Sequence, residues 1–111
     1  KDVPGLTLPT VVPGCKHVFH LYPVQIDPQV YGMTKEDFVY AMLYDRGIKV
    51  GTHYNPLNWS QAFRKRGFKK GTLPVAEAIA ERLVTLPINP KQTPEALDYL
   101  IESIQALGPA S

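Results

Sequence analysis

Apolar and polar residues alternate at the period of a β-strand over residues 48–54, which predicts a strand with two different faces. Two further strands are predicted over residues 17–26, which are rich in aromatic and β-branched side chains between proline-containing turns, and over residues 83–88, which are closed by Pro87 and Pro90. Pro23 places the first strand near a sheet edge or at a bulge. In the second strand, His53 is expected to point away from the apolar side chains at positions 48 and 50.

Helical spacing of apolar residues, with start and stop signals, predicts four helices. The first has Thr34 as N-cap, Asp37 in a capping-box position and Gly47 as its end. A turn at residues 56–58 precedes a short helix over residues 59–66.

The other two predicted helices lie in the last third of the chain. Thr72 is the expected N-cap of one, whose predicted buried stripe comprises Val75, Ala76, Ile79, Ala80 and Leu83. The last has Thr93 as N-cap and Pro94 in its first turn, and ends at Gly108 after an apolar side formed by Leu97, Leu100, Ile101, Ile104 and Leu107.

This order of elements predicts an α+β fold, with helices packed on a sheet of about three strands. The 111 residues suffice for one domain with a single core. Residues 1–14 hold three prolines and two glycines without periodic apolar positions, so we expect them to be a linker cut from a longer protein. Residues 15–111 would then be the domain itself.

Composition narrows the possible locations and partners. The net charge of +2 is too small for a global electrostatic attraction to nucleic acid or a membrane surface. No apolar run is long enough to cross a bilayer, and no basic-then-apolar leader opens the sequence. Cys15 is the single cysteine, which excludes an internal disulfide and favours a reducing, cytoplasmic environment.

Metal binding and thiol chemistry are the first candidate functions. Cys15, His17 and His20 lie close in sequence, but His17 and His20 would point to opposite faces of a regular strand. No further ligand follows at a suitable spacing, so we predict no metal site. A nucleophilic role for Cys15 has no local support, and a spectator thiol is the simpler interpretation.

A basic cluster is the second candidate. It comprises Arg64, Lys65, Arg66, Lys69 and Lys70, flanked by aromatic residues. Such a cluster can contact a phosphate or another anion. Cations at the C-terminal end of a short helix are also stabilised by its dipole without any ligand, and the sequence leaves both interpretations open.

The third candidate is the segment GTHYNPL at residues 51–57. It places His53 and Tyr54 at the end of a predicted strand, immediately before a sharp turn at Asn55 and Pro56. Both side chains can donate or accept hydrogen bonds near neutral pH, which suits recognition of a polyhydroxyl or phosphate ligand. A buried structural pair is the alternative.

Several motifs in this order resemble the C-terminal region of the DegT/DnrJ/EryC1/StrS family. They are HVFHLYPVQID at 17–27, GIKVGTHYNPL at 47–57 and LPVAEAIAERLVTLPINP at 73–90, followed by the closing helix. Members are aminotransferases of nucleotide-sugar biosynthesis that depend on pyridoxal phosphate (PLP). The resemblance covers nearly the whole chain.

The resemblance implies the small domain of a fold-type-I aminotransferase, with a mainly antiparallel sheet, packed against an N-terminal large domain that carries PLP and its Schiff-base lysine. The fragment alone would then bind no PLP and be inactive. It also implies glutamate as the usual amino donor, a nucleotide-linked keto-sugar as acceptor, a homodimer, and no nucleic-acid or membrane partner. A stand-alone α+β binding or regulatory module is the alternative.

For the site, the resemblance implies no catalytic residue in this segment and a substrate-binding rim formed by His53, Tyr54, Pro56, Leu57 and Asn58. Position 58 is Asn where many members have His. Arg64, Lys65 and Arg66 remain possible anion contacts, and Glu77 of the PVAE motif is expected to be a structural partner.

Overall fold

A three-stranded antiparallel sheet forms the centre of the fold in the computed structural model, which describes residues 2–109. The strands are β1 (Leu6–Thr7), β2 (Tyr22–Ile26) and β3 (Leu83–Leu86). They lie in the order β1-β2-β3, so β2 is the central strand and pairs with both neighbours. The predicted α+β class and antiparallel sheet are confirmed.

Residues 2–109 also form five α-helices and one 3₁₀ turn, all of which lie between β2 and β3 except the last helix. They are α1 (Pro28–Tyr31), α2 (Lys35–Tyr44), the 3₁₀ turn (Leu57–Trp59), α3 (Gln61–Arg64), α4 (Pro74–Ala80) and α5 (Pro94–Leu107). The chain therefore leaves the sheet after β2, passes through α1 to α4, returns as β3 and ends in α5.

The core lies between the sheet and the helices α1, α2 and α5. Val24 and Val84 are fully buried on paired strands, and Phe38 and Met42 are fully buried from α2. Tyr31 packs edge-on against Phe38, with ring centroids 5.7 Å apart. Burial of this apolar area is the main stabilising contribution to the fold.

Two predicted caps are confirmed. The Thr34 hydroxyl accepts a hydrogen bond from the amide of Asp37 at 3.2 Å, and the Thr93 hydroxyl caps α5 through the amide of Ala96 at 3.2 Å. Gly47 ends the helical segment that contains α2, as predicted. Its left-handed backbone (φ 67°) lets its amide donate a hydrogen bond to the Leu43 carbonyl at 3.1 Å.

All three predicted strands are too long, and the third ends at Leu86, directly before Pro87, instead of at residue 88. In the first, only Tyr22–Ile26 is extended and paired. His17 accepts a hydrogen bond from the amide of Phe19 at 2.8 Å, and Phe19 has a positive φ of 45°, so a local turn replaces the sheet ladder before Tyr22. The predicted strand over 48–54 is reduced to one bridge between Gly51 and Thr85.

Two predicted helices also need correction. The segment 59–66 divides into the 3₁₀ turn and α3, because Ser60 is extended (ψ 151°) between them. Thr72 does not cap α4, since its hydroxyl donates to the Lys69 carbonyl at 2.7 Å and Leu73 occupies the N-cap position.

The predicted buried stripe of α4 is wrong in most of its members. Glu77 and Ala80 are the buried residues of this helix, whereas Val75 is 74% exposed and Ile79 39% exposed. The Glu77 carboxylate takes the inward-facing position because it binds backbone amides there, and it turns the apolar side chains outward. In α5, Leu100 and Ile104 are buried as predicted, but Ile101 is half exposed.

The N-terminal segment 1–14 does contain regular structure between its turns. Leu6 pairs with Ile26 across the β1–β2 ladder, and Val3 and Leu8 pack against the core. The predicted boundary at residue 14 stays a prediction. Among the described residues, no helix is long and apolar enough to span a membrane.

Candidate functional site

The segment of residues 53–57, here called the rim turn, leaves the sheet directly after a rigid anchor. Gly51 and Thr85 exchange two backbone hydrogen bonds, each of 2.8 Å, so the position of Gly51 is fixed by β3. The chain then turns outward at Pro56 and enters the 3₁₀ turn. A loop that starts from such an anchor holds its side chains in a defined place.

His53 and Tyr54 stand together on the rim turn. Their rings meet edge to face, with centroids 4.9 Å apart and planes at 77°, and the peptide bond between them is cis. His53 is partly buried against Gly51, and its Nδ1 atom is buried without a hydrogen-bond partner. Tyr54 is 76% exposed, and Leu57 at the other end of the turn is 68% exposed.

An open groove of about 430 Å³ separates the rim turn from helix α2. Thr52 and Asn55 line it on one side, and Tyr40 and Tyr44 line it on the other. The two tyrosine rings are 4.5 Å apart and largely exposed. This groove was not predicted, although two tyrosines four residues apart on a predicted helix indicate a shared aromatic surface.

The basic cluster begins at Arg64, the last residue of α3, and continues through the exposed segment that follows, and residues 64–70 are here called the basic loop. Arg64, Lys65 and Arg66 are exposed, and none of them makes an ion pair within the part of the chain that the structure describes. Lys70 behaves differently, since its ammonium group lies 4.6 Å from the centroid of the Trp59 ring and 3.6 Å from the Glu81 carboxylate.

Asn58 is the member of the predicted rim that does not reach the surface. It is 1% exposed, and its Nδ2 donates to Glu77 Oε1 at 2.6 Å and to the Lys69 carbonyl at 3.1 Å. The side chain faces the interior because acceptors surround it there. The structure thus places Asn58 beneath the rim turn, whereas His53, Tyr54, Pro56 and Leu57 are at least partly accessible.

The Glu77 carboxylate is the centre of this buried polar cluster. It accepts hydrogen bonds from the Gly71 amide at 2.7 Å and from the Leu73 amide at 3.2 Å, as well as from Asn58. Burial raises the pKa of Glu77, but the bonds from Gly71, Asn58 and Leu73 together outweigh burial and lower this pKa below its usual value. Glu77 is therefore ionised at neutral pH, and its carboxylate is occupied by these hydrogen bonds.

The residues considered for metal binding do not come together. Within residues 2–109, no group of three or more His, Cys, Asp or Glu side chains is placed to hold a metal ion. Cys15 is exposed, and His17 uses its Nδ1 for the local turn described above.

The fold and the rim turn together define an α+β domain that presents polar and aromatic groups from one anchored loop. Its residues 1–105 match the profile of the DegT/DnrJ/EryC1/StrS aminotransferase family. The chain belongs to this family, and the predicted resemblance is confirmed.

Individual relatives support this assignment. The chain is 34% identical to the erythromycin biosynthesis sensory transduction protein EryC1 of Saccharopolyspora erythraea, over 96% of this chain and 27% of that protein. It is 27% identical to the spore coat polysaccharide biosynthesis protein SpsC of Bacillus subtilis, over 95% of this chain and 27% of SpsC. The chain thus spans about a quarter of the length of these relatives.

A solved structure shows the same fold. The chain superposes on DesV of S. venezuelae with a TM-score of 0.83 and 27% identity, covering 99% of this chain and 28% of DesV. The aminotransferase TlmJ of Streptoalloteichus hindustanus gives a TM-score of 0.78 and 26% identity, over 96% of this chain and 27% of TlmJ.

Proposed function

We propose that this chain is the small C-terminal domain of a PLP-dependent aminotransferase that aminates a keto-sugar linked to a nucleoside diphosphate. The observation that carries this proposal is the anchored rim turn, which holds an exposed Tyr54 against a partly buried His53 in a chain of this family. A polyhydroxyl substrate needs such groups for orientation, because binding geometry determines which carbon reacts.

Four accessible residues of the rim turn have a role in this proposal. His53 and Tyr54 hydrogen-bond to polar groups of the sugar nucleotide, and Pro56 and Leu57 form an apolar wall beside them. Asn58 supports the turn from below, which changes its expected role from ligand contact to scaffold. None of these residues takes part in bond making.

The basic loop supplies the charge complement to the substrate. Arg64, Lys65 and Arg66 are exposed and make no ion pairs within the described residues, so their charges are available to a diphosphate. The Asn58 contact to the Lys69 carbonyl holds this loop against the end of the rim turn. The sugar and the diphosphate of one substrate would then contact two neighbouring segments, the rim turn and the basic loop.

PLP supplies the carrier chemistry for the amino group when it is bound. The described residues of this domain do not fit a covalent PLP site. Lys35, the lysine with 11% side-chain exposure, already donates to the Ala80 carbonyl at 2.8 Å, and the other described lysines are exposed. We place the Schiff-base lysine on the large N-terminal domain, to which residues 1–14 would be the linker.

The whole enzyme would use glutamate as amino donor, act as a homodimer and work in the cytoplasm. The domain alone would be inactive, because none of the lysines that the structure describes is placed to hold the cofactor. A stand-alone binding or regulatory module is the competing function. It would need neither a cofactor lysine nor an attached large domain.

Visible absorbance distinguishes these two functions. The full-length protein should be yellow with bound PLP and lose that colour when its cofactor lysine is replaced. Residues 1–111 alone, checked for folding by circular dichroism, should stay colourless after incubation with PLP. An open reading frame that begins at this segment and encodes no further domain would contradict the proposal.

A further inference from the structure

Three segments of the chain meet at one buried carboxylate. Glu77 lies in the first turn of α4 and is 6% exposed. Its Oε1 accepts from Asn58 Nδ2 at 2.6 Å, and its Oε2 accepts from the Gly71 amide at 2.7 Å. One side chain therefore joins the 3₁₀ turn that follows the rim turn, the end of the basic loop and the start of α4.

The orientation of the Asn58 amide is determined by its neighbours. Nδ2 faces the Glu77 carboxylate, the Lys69 carbonyl and the Thr72 hydroxyl, at 2.6, 3.1 and 3.3 Å. The Thr72 hydroxyl donates its own proton to the Lys69 carbonyl, so the cluster needs a donor at this position. An acceptor in place of Nδ2 would face the ionised Glu77 without a proton between them.

A second contact joins the same two segments. The Lys70 ammonium group lies over the Trp59 ring, 4.6 Å from its centroid, and pairs with Glu81, the C-cap residue of α4. Cation–π contacts of this kind hold exposed side chains in place with modest energy. The basic loop is thus attached to the 3₁₀ turn both inside, through Glu77, and outside, through Lys70.

We infer that Glu77, through Asn58, is a positioning residue that sets the distance between the rim turn and the basic loop. This inference rests on the proposed function, in which these two segments bind the sugar and the diphosphate of one substrate. Loss of the cluster would then weaken binding of the sugar nucleotide and leave the reaction with the amino donor unchanged, because the proposed function assigns that reaction to groups of the large domain.

Glu77 is ionised because two backbone amides and the side-chain amide of Asn58 donate hydrogen bonds to its carboxylate. The charged residues near it in sequence are Lys69 and Lys70 in the loop, Glu81 at the C-cap of α4, and Arg82, whose guanidinium lies 3.7 Å from the Asp27 carboxylate. Lys70 and Glu81 pair with each other, and Lys69 contributes its carbonyl to the cluster. Proton uptake by this cluster should therefore depend mainly on which side chain occupies position 58.

Asn58→Asp in the full-length protein tests the inference, because aspartate keeps the shape and replaces the donor with an acceptor. Two carboxylates would then face each other in a buried site, which is more costly than a missing partner. Asn58→Asp should raise amide hydrogen exchange in peptides spanning residues 69–76 by about tenfold or more at pH 8, and Asn58→Ala should raise it less. Asn89→Asp is the matched control, since Asn89 is exposed and its Oδ1 already acts as an acceptor.

Acidification gives a signature that simple loss of packing does not. In Asn58→Asp, one proton shared by the two carboxyl groups restores a hydrogen bond, so protection of residues 69–76 should recover between pH 8 and pH 5.5. The parent protein should show no such recovery, because Glu77 is ionised across this range. Exchange in Asn58→Asp that equals the parent at pH 8, or protection relative to the intrinsic exchange rate at each pH that does not rise on acidification, would overturn the inference.

Kinetics of the same proteins separates positioning from folding. KM for the sugar nucleotide should rise at least about fivefold in Asn58→Asp, with kcat and the half-reaction with the amino donor within about twofold of the parent. An unchanged KM despite faster exchange would make Glu77 merely structural and would overturn the inference. If Asn58→Asp does not fold, Glu77→Gln, which keeps the shape and loses the charge, takes its place.

Failure of the proposed function looks different from failure of this inference. A parent protein without turnover on any sugar nucleotide contradicts the proposed function. The exchange measurement alone then decides whether Asn58 and Glu77 hold the two segments together.

Discussion

The imidazole of His53 lies against the α-carbon of Gly51, where a Cβ added to Gly51 would be 2.7 Å from Nδ1 of His53. Carbon atoms do not approach this closely, so a side chain at position 51 must displace the ring. Gly51 is required for this contact and not for an unusual backbone, since it is not among the glycines with positive φ.

Gly51→Ala should therefore impair substrate binding more than it lowers stability. The methyl group displaces a movable ring, while the two hydrogen bonds to Thr85 can persist. We expect KM for the sugar nucleotide to rise about tenfold and the free energy of unfolding to fall by less than about 1 kcal/mol. Steady-state kinetics and urea unfolding of the full-length protein measure these two effects.

A double-mutant cycle checks whether Gly51→Ala acts through His53. Without the imidazole there is no ring to displace, so Gly51→Ala combined with His53→Ala should have the same KM as His53→Ala alone. Additive effects of the two substitutions would show that Gly51 acts on the site by another route.

Leu57→Ala tests whether an exposed apolar side chain of the rim turn serves binding. Leu57 is 68% exposed, so its removal should change the free energy of unfolding by less than about 0.5 kcal/mol. We expect KM for the sugar nucleotide to rise severalfold. Val18→Ala is the matched control, because Val18 is 84% exposed in a different segment and should change neither quantity.

Replacement of Arg64, Lys65 and Arg66 by glutamine tests the role of the basic loop. If these charges meet a diphosphate, KM for the sugar nucleotide should rise about tenfold at low salt, and the difference from the parent should shrink at high salt. Glutamine at Lys16, Lys49 and Lys91 makes the same change in net charge at other exposed positions. Equal effects of the two triple variants would assign the change to net charge alone.

Tyr31→Phe tests a buried contact of the core. The Tyr31 hydroxyl donates to the Ile104 carbonyl at 2.6 Å, and this carbonyl also accepts from the Gly108 amide, so the loss should cost about 1 kcal/mol of unfolding free energy. Tyr44→Phe, at a 68% exposed position, should be neutral.

The same tyrosine predicts that the protein loses stability at alkaline pH. Burial raises the pKa of Tyr31 from 10.0 to about 12, so its contribution to stability is complete below pH 10 and is lost as pH rises towards 12. Tyr31→Phe should remove part of this pH dependence in unfolding experiments. An identical alkaline slope in Tyr31→Phe and the parent would exclude Tyr31 as its source.

The sequence allowed prediction of the elements whose signals are local. Thr34 and Thr93 cap helices as expected, because a hydroxyl at the N-cap needs only its own next turn. The family motifs also led to the antiparallel sheet and to the rim turn. These features depend on neighbours in sequence or on the specific order of several motifs.

The remaining errors arise from buried polar contacts. Glu77 binds the amides of Gly71 and Leu73, six and four residues before it, and a pattern of apolar positions does not report that a carboxylate takes the buried side of α4. Asn58 was likewise placed at the rim, since its burial depends on acceptors 11 to 19 residues away. Buried polar clusters of this kind follow from tertiary packing, which periodicity does not report.

Transfer of ¹⁵N from labelled glutamate tests the central claim most directly. The full-length protein that contains this domain, supplied with PLP, [¹⁵N]glutamate and a panel of nucleotide-linked keto-sugars, should yield a ¹⁵N-labelled amino sugar nucleotide detectable by mass spectrometry. Replacement of its cofactor lysine should abolish the label. Labelled product formed by residues 1–111 alone, or none from the full-length protein with any keto-sugar and any amino donor tested, would contradict the account.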